Sequence, residues 1–69
     1  SANAASYVTL ALAEALIRAS IAGQGTDQQT AEAIHLLDRD LIKKLPSAPI
    51  WKAQALAAMS HYSEAEAIL

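Results

Sequence analysis

Sixty-nine residues with a formal net charge of −2 and no cysteine leave room for one domain at most, near the lower size at which a single core holds a fold unaided. They exclude disulfide staples and thiolate metal sites, and the acidic balance lacks the broad positive field that nucleic acid or an anionic membrane requires. Apolar residues make up 54% of the chain, yet it has no Phe, one Trp and two Tyr, so the apolar surface is mostly Ala, Leu and Ile, which favour helix and close packing.

Residues 1–5 read as an unstructured tail or a cloning remnant, and residues 6–69 as one helical domain with helices at about 6–22, 27–45, 48–59 and 62–69. The first helix is apolar almost all round. Val8, Leu12, Ala15, Leu16, Ala19 and Ala22 form one stripe; Leu10, Ala13, Ile17 and Ile21 form a second. Only Glu14 and Arg18, an i,i+4 pair, look made for water. The same two charges, in so short an apolar run, argue against a membrane span. No basic segment precedes the run as in a signal peptide, so the expected location is the cytoplasm.

Gly23-Gln24-Gly25 ends this helix. Thr26 with Gln29 has the form of a capping box, and Asp27 suits a first turn. The second helix is amphipathic, with Ile34, Leu37, Leu41 and Leu45 on one side and Glu32, Arg39, Asp40 and Lys43 on the other. Lys43 and Lys44 fall in its expected last turn. Pro46-Ser47-Ala48-Pro49 separates it from the third helix, which Ser47 can cap and whose first turn tolerates Pro49. In that helix Ile50, Trp51, Ala53, Ala55, Leu56, Ala57, Ala58 and Met59 outnumber Lys52 and Gln54. Ser60-His61 is a softer break before the last helix. No stretch alternates with period two, so the fold class is all-α, a short array of antiparallel helical hairpins.

A helix with two apolar stripes needs cover on two sides, and so short a chain has too few elements to cover both the first and third helices twice. A protein partner or a second copy is therefore expected to complete the surface. The small residues of the Val8–Ala22 stripe suit packing against the second helix. That leaves Leu10, Ile17 and Ile21 of the first helix, with Ile50, Trp51 and Leu56 of the third, as the expected partner-binding residues. The recognition mode would be helix-in-groove.

Ala31-Glu32-Ala33-Ile34 recurs as Ala65-Glu66-Ala67-Ile68, 34 residues on, the period of the tetratricopeptide repeat. Tyr62-Ser63-Glu64-Ala65 has the look of the opening of that repeat's second helix. Two departures stand out: Ser60-His61 replaces the usual turn glycine, and Trp51 lies off the usual aromatic position. Leu12-Ala13-Glu14, the Gly-containing loop, Ala31-Glu32-Ala33-Ile34 with Leu36-Leu37, and Leu56-Ala57-Ala58-Met59 leading to Tyr62-Ser63-Glu64-Ala65 together resemble the N-terminal part of the larger needle-protein chaperone of bacterial type III secretion systems. The resemblance implies a tetratricopeptide-like fold. It also implies that the chain, with a small helical co-chaperone, sheathes an apolar helix of the needle subunit in the cytoplasm.

No catalytic constellation is visible. His35 and His61 are far apart and lack paired ligands, Glu32, Asp38 and Asp40 fan around a solvated face, and no serine has a histidine at a recognised spacing. No enzyme, cofactor or metal is expected. Two alternatives stay open. One is a homodimeric helical interaction domain. The other is a helix-turn-helix DNA reader beginning Asp27-Gln28-Gln29-Thr30, though no Lys or Arg supports phosphate contact before Arg39.

Overall fold

The computed structural model describes residues 2–69, with side chains from residue 4 onward. Four helices follow in order: α1 (Ala2–Ile21), α2 (Asp27–Leu37), α3 (Ala48–Ala58) and α4 (Tyr62–Ile68), with no strand among the described residues. α1 packs on α2, α3 lies against both of them, and α4 packs on α3. Most ends fall within a residue of expectation, and two differences carry physical content. α1 runs back to Ala2, so residues 2–5 belong to it rather than to a tail. α2 stops at Leu37 instead of residue 45.

The early stop has local causes. Asp38 and Asp40 are poor helix formers and would place negative charge at the negative end of the helix dipole. The chain leaves through short-range turns in which the Ile42 N–H donates to the Arg39 carbonyl (2.9 Å) and the Leu45 N–H to the Ile42 carbonyl (2.9 Å). Lys43 and Lys44 therefore cap nothing; Lys43 pairs with Asp40 at 3.1 Å instead. The turn also shifts the buried position by one residue. Leu41, expected in the core, is 62% exposed, whereas Ile42 is 3% exposed.

Capping explains the start of α2 and the ends of α1 and α3. The Thr26 hydroxyl accepts from the Gln29 N–H (3.1 Å) and the Gln29 side chain accepts from the Thr26 N–H (3.0 Å), a closed capping box. α1 and α3 end alike. After α1, the Gln24 N–H donates to the Ala19 carbonyl (2.8 Å) around Gly23 at φ +76°; after α3, the His61 N–H donates to the Leu56 carbonyl (2.8 Å) around Ser60 at φ +65°. Both are Schellman ends, the second built on a non-glycine residue. Ser47 precedes α3 but makes no side-chain cap bond.

The core draws on every helix. Leu10, Ala13 and Ile17 of α1, Ala33 and Leu37 of α2, Ile42, and Ala48 and Ala55 of α3 form one cluster. A smaller one joins Ala53 and Leu56 to Ala65 of α4. At the α1–α2 contact the fully buried Thr30 hydroxyl donates to the Thr26 carbonyl (3.1 Å) and lies 2.7 Å from the Ser20 hydroxyl, so a polar pair is satisfied inside an apolar wall.

Candidate functional site

The surface left uncovered differs from the expected one. Leu10, Ile17 and Leu56, expected to meet a partner, are core residues, while Ile21 and Ile50 are more than half exposed. Trp51 is half-buried against the main cluster, with the Arg18 guanidinium 5.1 Å above its ring, a cation–π contact joining α1 to α3. The two stripes of α1 are thus largely exchanged, although Ile21 of the buried stripe is exposed and Leu16 of the other packs partly buried against the core. The larger side chains Leu10 and Ile17 fill the space between α2 and α3, where burial of each stabilises by about 1.5–3 kcal/mol. The stripe carrying Val8, Leu12 and Ala15 faces outward, Val8 at 69% exposure. Small residues permitted close packing there but did not require it.

An apolar concavity lies between α3 and α4, with a volume of about 420 Å³. Ile50, Ala53, Ala57, Tyr62, Ala65 and Leu69 line it, with Gln54 and Glu66 as its polar members. A shallower hollow continues it toward α1 past Gln54 and Ala57 to Ser20, Ile21 and Ala58. Of the expected partner-binding residues, Ile50 and Ile21 border this continuous trough. Tyr62, Ala65 and Leu69 were missed because α4 is too short to display a periodicity of its own.

The trough has a filled counterpart within the same molecule. Gly23 and Ser60, the left-handed residues closing α1 and α3, are 37 positions apart; Thr26 and His61, the residues preceding α2 and α4, are 35 apart. With helix ends aligned in this way, Ile50 and Gln54 of α3 correspond to Ala13 and Ile17 of α1. The first two are exposed and the second two buried, because α3 covers α1 and α2 whereas no element among the described residues covers α3 and α4 on that side. Similarly, Thr30 and Ala65 are the fourth residues of their helices, and both are buried. The tetrapeptide repeat does not share this register. Ala31 is the fifth residue of α2 and Ala65 the fourth of α4, so the two copies point about 100° apart around their helices. The Ala-Glu-Ala-Ile recurrence therefore does not fall at matching positions of α2 and α4, whereas the left-handed ends of α1 and α3 at Gly23 and Ser60 are alike.

Charged groups lie at the margins of these surfaces. Lys52 reaches Asp38 at 2.8 Å and the His61 Nδ1 is 3.6 Å from Glu64. Among the described residues no three His, Asp or Glu side chains gather as metal ligands. By length and composition alone, residues Ala4–Ile21 would suffice to cross a bilayer, but the Leu10–Ala13–Ile17 stripe of this helix lies within the protein core. No protein-family model, no curated protein and no solved structure matches the chain.

Proposed function

We propose that this chain is a protein-binding module, a short array of helical hairpins resembling tetratricopeptide repeats, that takes an apolar helix of another protein into the α3/α4 trough. One observation carries the reading: the corresponding surface of the first helix pair is occupied by a helix, α3, and the trough repeats its apolar character without an occupant among the described residues. The pairing order of the helices and their recurrence at 35 to 37 residues agree with a solenoid of two-helix units. The module binds rather than catalyses. Its resemblance to the type III secretion needle chaperone names a specific occupant, the apolar helix of a needle subunit held in the cytoplasm with a small co-chaperone.

The test is a titration of the chain with a labelled peptide of its own residues 47–60, the natural occupant of the filled surface, followed by fluorescence anisotropy. Saturable binding that Ile50→Glu abolishes and Leu41→Glu leaves intact is expected, since both residues are exposed but only Ile50 lines the trough. Binding that ignores Ile50→Glu would overturn the reading. Failure of the cognate needle helix to compete with the peptide would remove the needle-specific occupant and leave the general function standing.

A further inference from the structure

We infer that the Lys43–Lys44 pair, in the connection between α2 and α3, is a cleavage site at which a serine protease selective for basic residues cuts the folded chain, and that the two helix pairs stay joined after the cut. Residues 38–47 form the longest connection between helices among the described residues, and exposed irregular segments are where folded chains are nicked. The chain has five Lys and Arg residues; Arg39, Lys43 and Lys44 fall in this connection, and all three are exposed. The other two are shielded. Arg18 lies in the last turn of α1 beside the buried Ile17, its carbonyl accepting from the Ala22 N–H (3.0 Å) and its guanidinium stacked on Trp51. Lys52 lies inside α3 beside the buried Ala53 and bonds Asp38 at 2.8 Å.

Local geometry selects among the three exposed cations. An extended peptide is held in a binding cleft through its main-chain hydrogen bonds, so peptide groups that are already bonded must first be released. The Arg39 carbonyl accepts from both the Ile42 and the Lys43 N–H (2.9 Å each), whereas among the described residues the Lys44 N–H and carbonyl have no backbone partner. Asp40 directly follows Arg39, which places a carboxylate beside that bond and repels a protease whose specificity pocket holds a carboxylate of its own. In the cut, water adds to the Lys44 carbonyl carbon and the bond to the Leu45 nitrogen breaks, leaving a carboxylate on Lys44 and an amine on Leu45. Ile42 is 3% exposed and must leave the core for the segment to extend, so its burial sets how often the site opens. The cut leaves the core intact. The main cluster joins Leu10, Ile17 and Leu37 on one side of it to Ala48 and Ala55 on the other, and the Arg18–Trp51 and Lys52–Asp38 contacts also span it.

Limited digestion of the folded chain with trypsin, followed by mass spectrometry and size-exclusion chromatography, tests both parts. The first products should be residues 1–44 and 45–69, or the pair cut one residue earlier, eluting together with the helicity of the uncut chain. Lys43→Gln combined with Lys44→Gln, both at exposed positions, should slow the first cut at least about tenfold without altering helicity. Ile42→Val, a small truncation that the fold tolerates, should speed the same cut about threefold or more and leave the bonds after Arg18 and Lys52 intact. A first cut after Arg18 or Lys52, or cutting at all five cations together, would mean that cleavage follows global unfolding and overturns the inference. So does an unchanged rate in the double Lys→Gln variant. A rate that Ile42→Val leaves unchanged removes Ile42 as the gate, and fragments that separate on the column overturn the claim that the pairs stay joined.

Discussion

The two helix pairs resemble each other in design and differ in cover. Around α1 and α2 the concave side is closed by α3, and the residues there, Ala13, Ile17, Ala33 and Leu37, are within a per cent of complete burial. Around α3 and α4 the equivalent side is open, and a residue as apolar as Ile50 is half exposed. Apolar character is thus similar at both surfaces, and the packing of α3 over one of them makes that one core. Each helix pair here is buried by the element packed over it, so the pair that no described element covers keeps an apolar surface exposed.

The largest effect that tests this contrast is a matched pair of truncations. Leu37→Ala should cost about 2–5 kcal/mol in denaturant unfolding, because it opens a cavity in the covered pair. Ile50→Ala should change stability by no more than about 0.5 kcal/mol, as expected for an exposed site. Comparable losses at both positions would mean that the second pair is as tightly closed as the first.

Much of this contrast is absent from the sequence. Helix number, the capping box at Thr26–Gln29 and the Gly23 stop are legible because each depends on local chemistry within a few residues. The end of α2 was misplaced because the Ile34, Leu37, Leu41, Leu45 spacing continues in phase after the helix has stopped; periodicity does not register the two aspartates that interrupt it. The choice between the stripes of α1 is not local at all. It depends on how α2 and α3 sit around α1, and that arrangement exists only once the helices are assembled. The tetrapeptide recurrence was misleading for a related reason, since composition repeats more readily than register in an alanine-rich chain.

A second pair of substitutions contrasts the two Schellman ends. Gly23→Ala introduces a Cβ that meets nothing within 4 Å, so its cost is that of the left-handed backbone alone, about 1–2 kcal/mol. Ser60→Gly should recover part of the same quantity, about 1 kcal/mol, offset by the greater freedom of glycine in the unfolded chain. Thermal unfolding of both variants measures the balance, and a destabilising Ser60→Gly would show that the Ser60 side chain contributes more than its backbone costs.

The smallest effect is the most specific to the turn after α2. Leu41→Ala should leave stability within about 0.5 kcal/mol of the unchanged chain, although the spacing of the sequence assigns Leu41 to the core. A loss comparable to that of Leu37→Ala would restore the longer helix and remove the turn that brings Ile42 inward.

The distribution of aromatic side chains has an optical consequence. The only tryptophan, Trp51, sits at the α1–α3 junction under Arg18, so its emission follows separation of the two helix pairs rather than melting of any one helix. The two tyrosines are at the open surfaces, Tyr7 exposed on α1 and Tyr62 exposed at the trough. Selective excitation of tryptophan therefore reports on the α1–α3 junction, while tyrosine emission reports on the exposed surfaces of α1 and of the trough. The unlabelled protein carries separate intrinsic probes for its core and for its open surfaces.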